Sequence, residues 1–425
     1  MLLLDNLLIK QPAALLQKVP SFYIAIILFG QVFLSSLANL LSIENRFVMV
    51  VFRLSVMVFS YAYIFLCIRS KQLSNFLNSW TLSLIIFWLL YILRLFYDVY
   101  IMGVALALPV WELLAWSLGS SLPIALCSYL LASQNSLDFV FIKQINYGIF
   151  LLGFSIICFL INPGLGQGRF YLQHLNAITC ANAGCALLLL SFAKLLLTRA
   201  RLIHDKSIQY LAWLGILIGS FIVIYSATRG AIIASLLIIF SSMFLFRSRL
   251  RLSSASKWKY LALITAIFSI LISIILASPV LLEKLFTSIS SYTILTRLEF
   301  WRVSIEQFAA SPLIGEGFKL QEILGNLEIE KGIYYPHNYM LESLAIGGVV
   351  MTLPLLFIMC LPIISICKKP KLSPALFPML LLASQALIYS MHNGHLGDFP
   401  FFWLILGMIA GFKNRTDQRL INSDI

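Results

Sequence analysis

The stretch IQYLAWLGILIGSFIVIYSATRGAIIASLLIIFSSMFLF, residues 208–246, decides the fold of this chain. Arg229 is its single charged residue, and it lies in the polar break Thr228-Arg229-Gly230 between two apolar runs. Each run is long enough for a helix that crosses a hydrocarbon core of roughly 30 Å. The stretch therefore predicts two membrane-spanning helices joined by a very short turn.

The same pattern recurs along the whole chain, which is 60% hydrophobic and only 11% charged. Because lipid cannot satisfy backbone polar groups, the apolar runs predict a helical bundle, and the alternation of barrel strands is absent. We expect an all-α polytopic membrane protein that forms a single membrane-embedded domain over residues 1–425. About twelve transmembrane helices are predicted, at 21–43, 47–68, 80–102, 107–132, 140–161, 177–198, 208–227, 229–246, 260–278, 339–366, 373–390 and 398–412.

The net charge of +13 is distributed as expected for a membrane protein. Lysine and arginine cluster in every second loop, for example from Arg247 to Lys259 and from Lys368 to Lys371. This bias predicts that both termini are cytoplasmic and that these charges contact membrane lipids, with no nucleic-acid partner. The outer loops contain neither an Asp-x-Asp pair nor histidines at metal-ligand spacing. We therefore predict no metal site and no cofactor.

One predicted outer loop, residues 279–337 between the ninth and tenth spans, is much longer than the others. Leu298, Trp301 and Ile305 recur at helical spacing within it, which predicts a helix over 296–309. Ser311-Pro312 should end that helix, and Gly315-Glu316-Gly317 should turn the chain. Because long loops with their own helices are usually functional, we expect this periplasmic loop to contribute to a site.

The polar residues that could carry chemistry fall on the same predicted outer face. The imidazole of His337 could accept a proton near neutral pH, or it could be an interfacial residue. Arginines there could bind phosphate in a bidentate fork, or could snorkel or stabilise packing. His392, His395 and Asp398 could line an acceptor entrance, form a solvated turn, or bind a metal. Arg94 and Asp98 lie four residues apart and could pair on one helix face.

Five motifs follow one another along the chain: Gly168-Arg169 with His174 and Asn176; Thr228-Arg229-Gly230; Arg297-Leu-Glu-Phe-Trp301; Ser311-Pro-Leu-Ile-Gly-Glu-Gly317; and His337-Asn338 with Leu341-Glu342 and Gly347. This ordered set resembles the bacterial superfamily of O-antigen ligases and O-antigen polymerases (Wzy-type), and the ligases most closely. The chain departs from the family pattern at Val350, where a further glycine is common.

This resemblance implies an enzyme at the periplasmic face of the bacterial inner membrane. It would be a metal-independent, inverting glycosyltransferase that moves an undecaprenyl-pyrophosphate-linked glycan onto a hydroxyl of lipid A–core. His337 would be the base. Three arginines would bind the donor pyrophosphate: Arg229, Arg297 and Arg302. Supporting residues would be Asn338, Arg169, His174, Asn176, His392 and His395. The alternative is an O-antigen or exopolysaccharide polymerase; a protein O-oligosaccharyltransferase and a twelve-helix transporter rank lower.

Overall fold

The computed structural model describes residues 20–69, 77–134, 140–161, 170, 175, 177–199, 207–245, 292–326, 334–367 and 376–423, with six isolated positions between 258 and 276. All regular elements in these ranges are helices. They are α1 Pro20–Leu40, α2 Asn45–Arg69, α3 Ser79–Ile101, α4 Val110–Gln134, α5 Val140–Ile161, α6 Ala177–Arg199, α7 Ser207–Tyr225, α8 Arg229–Leu245, α9 Tyr292–Ala310, α10 Lys319–Asn326, α11 Tyr339–Cys367, α12 Leu376–Ser390 and α13 Pro400–Ser423.

The helical membrane class is confirmed. Seven helices of the described residues are long and apolar enough to cross a membrane, namely α1 to α6 and α11, and α7, α8, α12 and α13 are shorter apolar helices. The predicted spans coincide with these helices except the one at 260–278, which lies outside the continuously described residues. The total of twelve spans therefore stays a prediction, as does the side of the membrane on which each loop lies.

The chain forms two compact units that interleave along the sequence. The first comprises residues 1–52, 134–281 and 371–382, and the second comprises 53–133, 282–370 and 383–425. In the first unit α6 is the central helix: its membrane-spanning stretch is fully buried, and it packs against α7, α5 and α8. Gly184 and Gly219 let α6 and α7 approach closely, because a Cβ on Gly219 would lie 2.6 Å from the Gly184 carbonyl oxygen.

The second unit is built on α11, which packs along α3 and also contacts α9 and α13. The indole of Trp80 on α3 donates to the carbonyl of Ile358 on α11 at 3.1 Å. α11 is kinked at Gly348, whose backbone has φ +60° and ψ −157°, a conformation that strongly favours glycine. The backbone amides that follow the kink donate hydrogen bonds to a turn at residues 311–318.

The turn 311–318 follows α9. The predicted helix over 296–309 is confirmed by α9, and it ends at Ala310 before Pro312. The turn adds backbone bonds to the kink: the Val349 amide donates to the Pro312 carbonyl at 2.9 Å, and the Val350 amide to the Leu313 carbonyl at 3.1 Å. The turn 311–318 and the kink at Gly348 therefore pack against each other, and together they fix α9 against α11.

Arg94 and Asp98 of α3 fix the other side of this turn. Their predicted pairing is confirmed, with 3.0 Å between the Arg94 Nε and an Asp98 carboxylate oxygen. Asp98 is buried and also accepts a hydrogen bond from the Phe318 amide at 2.7 Å, while Arg94 donates to the Ile314 carbonyl at 3.1 Å. A buried ion pair with these extra hydrogen bonds is well satisfied, so it holds the turn in place.

Candidate active site

His337 lies in a constrained backbone position immediately before α11. Its φ is +56°, in the left-handed region that residues other than glycine rarely adopt. The carbonyl of its neighbour Pro336 accepts a hydrogen bond from the Trp301 indole at 2.9 Å, and the Tyr335 ring packs edge-on against the imidazole at 4.8 Å. Strained conformations of this kind persist where the surroundings fix them, and they cluster at functional sites. The segment therefore holds the His337 ring in one orientation.

Asn338 joins this segment to the turn 391–398. Its side-chain oxygen caps α11 by accepting hydrogen bonds from the amides of Met340 at 3.0 Å and Leu341 at 3.1 Å, which is a preferred role for asparagine at a helix start. Its amide nitrogen donates to the Met391 carbonyl at 3.1 Å. Because each partner adjoins a histidine, this bond links the segment of His337 to the turn that carries His392.

His392 has a defined tautomer. Its Nδ1 lies 2.6 Å from the carbonyl oxygen of Ile388. A carbonyl can only accept, so Nδ1 carries the proton and Nε2 carries a lone pair. Nε2 is buried and has no hydrogen-bond partner among the described residues, as is also true of Nδ1 of His337.

His395 and Glu342 form a second, deeper pair. Nε2 of His395 lies 3.0 Å from a Glu342 carboxylate oxygen, and the two side chains are 2% and 1% exposed. The Gly397 amide donates to Nδ1 of His395 at 3.0 Å, so the ring proton is on Nε2, the nitrogen that lies near Glu342. The other carboxylate oxygen accepts from the Leu396 amide at 3.1 Å. The pair therefore fastens the turn 391–398 to the first turn of α11.

Aromatic rings connect the pair to His337. The His395 ring packs edge-on against Trp116 at 5.2 Å and against Tyr335 at 5.4 Å. Tyr335 in turn contacts His337, as described above. Tyr335 therefore contacts both the His395 ring and the His337 ring.

Arg297 of α9 supplies a positive charge that acts on His337 and His392. Its Nη2 lies 3.4 Å from the side-chain oxygen of Asn393, the residue after His392. Burial first, then the charge of Arg297 and of a protonated His392, lowers the pKa of His337 from 6.5 to about 3. Burial also lowers the pKa of His392, although the Ile388 carbonyl opposes the shift and Arg297 adds to it. Both imidazoles are therefore neutral at physiological pH.

Arg302 lies one turn further along α9, on an exposed face. Its guanidinium pairs with Glu299 at 2.5 Å and with Glu306, and its side chain is 55% exposed. The hydrogen bond to Arg302 lowers the pKa of Glu299, and the two carboxylates raise the pKa of Arg302. A phosphate at Arg302 would have to compete with these neighbours.

Arg229 begins α8 in the first compact unit. A helix start favours anions because its free amides and dipole are positive there. Residues 169, 174 and 176 lie outside the described residues. The Phe170 amide donates to the Tyr225 carbonyl at 2.7 Å, which ties Phe170 to the end of α7, four residues before Arg229.

The structure adds site residues that the sequence did not single out, namely Tyr335, Asn393 and the carbonyl of Ile388. In the sequence, Glu342 was identified only as part of the motif Leu341-Glu342. For Tyr335, the sequence signal was its position, since it is an aromatic residue two positions before His337. Within the described part of the chain, no group of three His, Cys, Asp or Glu side chains could hold a metal ion.

Two comparisons with known proteins bear on this site. A family model described as O-antigen ligase matches residues 214–357, which include Arg229, Arg297 and His337. The matched range runs from α7 to the middle of α11 and so covers both α9 and the kink at Gly348. No curated protein matches the chain.

Proposed function

We propose that this chain is an O-antigen ligase-like glycosyltransferase. The match of a family model described as O-antigen ligase to residues 214–357 supports the proposal. In this proposal it moves a glycan from undecaprenyl pyrophosphate onto a hydroxyl of lipid A–core at the periplasmic face of the inner membrane. The observation that carries the proposal is the neutral His337, with an unpaired ring nitrogen, beside the guanidinium of Arg297.

His337 is the general base of the proposed reaction. A neutral imidazole accepts the proton of the acceptor hydroxyl while the hydroxyl oxygen attacks the anomeric carbon of the donor sugar. The new bond between carbon and oxygen forms as the bond to the pyrophosphate breaks, and undecaprenyl pyrophosphate leaves with the electron pair. A single displacement inverts the anomeric configuration.

Arg297 and Arg229 bind the pyrophosphate in this proposal. Guanidinium groups match phosphate oxygens in a bidentate geometry and stabilise the charge that develops on the leaving group. No divalent ion is required, because the arginines supply the positive charge. Arg302 contributes less, since Glu299 and Glu306 already occupy its guanidinium. Arg169, His174 and Asn176 are proposed to support the donor site from the segment before α6, and Asn338 supports His337 as its backbone anchor.

Donor binding would also strengthen the base. Arg297 is the second cause of the low pKa of His337. A pyrophosphate bound to Arg297 would offset that positive charge and raise the pKa of the imidazole toward its ordinary value. A base with a pKa nearer the working pH is the more effective one, so the site would be activated by its donor and remain a weak base without it.

The acceptor separates the ligase from the second candidate, a polymerase that joins one lipid-linked glycan to another. The ligase is favoured by the single long late loop that carries α9 and α10. Deleting the gene and analysing lipopolysaccharide on a gel distinguishes the two. Bare lipid A–core with polymer retained on undecaprenyl pyrophosphate indicates a ligase, and core that carries one repeat unit indicates a polymerase. An unchanged ladder contradicts the ligase and an O-antigen polymerase, and it points to another glycan, such as an exopolysaccharide, to a protein acceptor or to transport.

His337→Ala tests the site itself. We expect loss of transfer by a factor of about 100 or more, because general-base catalysis typically contributes that much, with normal membrane insertion. Retained transfer in a correctly inserted variant would contradict the assignment of the base.

A further inference from the structure

His392 is a second neutral imidazole at the same place as His337. The residues next to the two histidines are linked, because the side-chain amide of Asn338 donates to the Met391 carbonyl at 3.1 Å. Arg297 lies within 3.4 Å of the side chain of Asn393 and acts electrostatically on both histidines. Two imidazoles and one guanidinium therefore lie within electrostatic range of one another, and the base of the proposed reaction uses only one of the two rings.

The structure limits what His392 can do. Its proton is held on Nδ1 by the Ile388 carbonyl at 2.6 Å, so Nε2 can only accept a hydrogen bond. A pyrophosphate oxygen is also an acceptor and would be repelled by this lone pair. A sugar hydroxyl is a donor and fits it. The buried and unpaired state of Nε2 carries a desolvation penalty that a ligand hydroxyl would remove.

We infer that His392 is an acceptor-binding residue, whose Nε2 accepts a hydrogen bond from a hydroxyl of the incoming glycan acceptor. This inference rests on the proposed function and deepens it: His337 removes the proton of the reacting hydroxyl, and His392 holds a neighbouring hydroxyl of the same sugar. The ligand class is a hydroxyl-rich glycan. The fixed tautomer makes the contact directional, so the acceptor is oriented and also retained.

Two substitutions at the same position separate hydrogen bonding from packing. His392→Phe keeps an aromatic ring against Tyr389, whose ring lies 5.3 Å away, but has no lone pair. His392→Gln can place an amide oxygen near the position of Nε2. Both variants and the wild-type protein are assayed after size-exclusion chromatography and a thermal melt show a folded sample. The substrates are O-antigen on undecaprenyl pyrophosphate as the donor and purified lipopolysaccharide lacking O-antigen as the acceptor.

The expected result is a rise in the KM for the acceptor of about three- to tenfold in His392→Phe, the effect of one lost hydrogen bond. The donor KM should stay the same, and His392→Gln should recover most of the loss. An unchanged acceptor KM would overturn the inference. So would a rise in the donor KM alone, or a fall in kcat with both KM values unchanged. Transfer by the wild-type protein must be present in all these cases; its absence would overturn the proposed function and the inference with it.

Discussion

Acid should destabilise the folded protein through His337, and the size of the effect follows from its surroundings. Burial, Arg297 and His392 hold the pKa of His337 at about 3, against 6.5 in an unfolded chain. Between these two pH values the unfolded chain binds a proton that the folded protein does not. The stability contributed by the neutral ring is therefore complete above the unfolded pKa and is lost as the pH falls below 6.5. The loss is about 1.4 kcal/mol per pH unit, or about 2.5 kcal/mol between pH 7 and pH 4.5.

The assay compares the wild-type protein with His337→Gln, whose side chain does not titrate. The free energy of unfolding is measured at pH 7 and pH 4.5 by detergent titration in mixed micelles, followed by circular dichroism. Carboxylates and His392 titrate in both proteins, so their contributions cancel to a first approximation. The wild-type protein should lose about 2–3 kcal/mol more than the variant between the two pH values. Equal losses within about 0.5 kcal/mol would refute the burial of a neutral His337.

The remaining predictions concern single residues of the site and its support. Arg297→Gln should raise the donor KM about tenfold or more, because a charged hydrogen bond to phosphate is lost. Arg302→Gln should raise the donor KM less than about threefold. Steady-state kinetics with varied donor concentration check both values, and equal effects of the two substitutions would contradict the proposed difference. Glu342→Gln should lower the free energy of unfolding by about 1–3 kcal/mol, because an amide NH2 group would replace one of the two carboxylate oxygens, of which one lies 3.0 Å from His395 Nε2 and the other accepts from the Leu396 amide. A detergent titration at pH 7 checks this value, and an unchanged value would remove the structural role of the pair. Transfer should be unaffected by EDTA, since the arginines supply the positive charge, and a loss restored by added divalent ion would contradict that.

Local features of the fold could be predicted from the sequence. Apolar runs of membrane-spanning length gave the positions of α1 to α8 and α11 to α13, because lipid leaves the helix as the one way to satisfy these backbones. The spacing of Arg94 and Asp98 predicted their pairing, and Pro312 predicted the end of α9. Each of these depends on residues close together in the chain.

The arrangement of the site could not be predicted in the same way. Glu342 and His395 are 53 positions apart, and their contact depends on how the turn 391–398 packs against α11. The left-handed backbone of His337 and the tautomer of His392 depend on Trp301 and on the Ile388 carbonyl, which no local pattern identifies. The sequence therefore indicated candidate site residues, and packing determines which of their side chains contact one another.

The most direct test of the central claim is transfer by the purified protein in proteoliposomes. The protein is mixed with O-antigen on undecaprenyl pyrophosphate and with lipopolysaccharide lacking O-antigen, and both the lipopolysaccharide and the released lipid are measured. We expect lipopolysaccharide that carries O-antigen, with one undecaprenyl pyrophosphate released for each glycan transferred. Unmodified lipopolysaccharide in the presence of wild-type protein, with the donor glycan lengthened or unchanged, would contradict the ligase assignment.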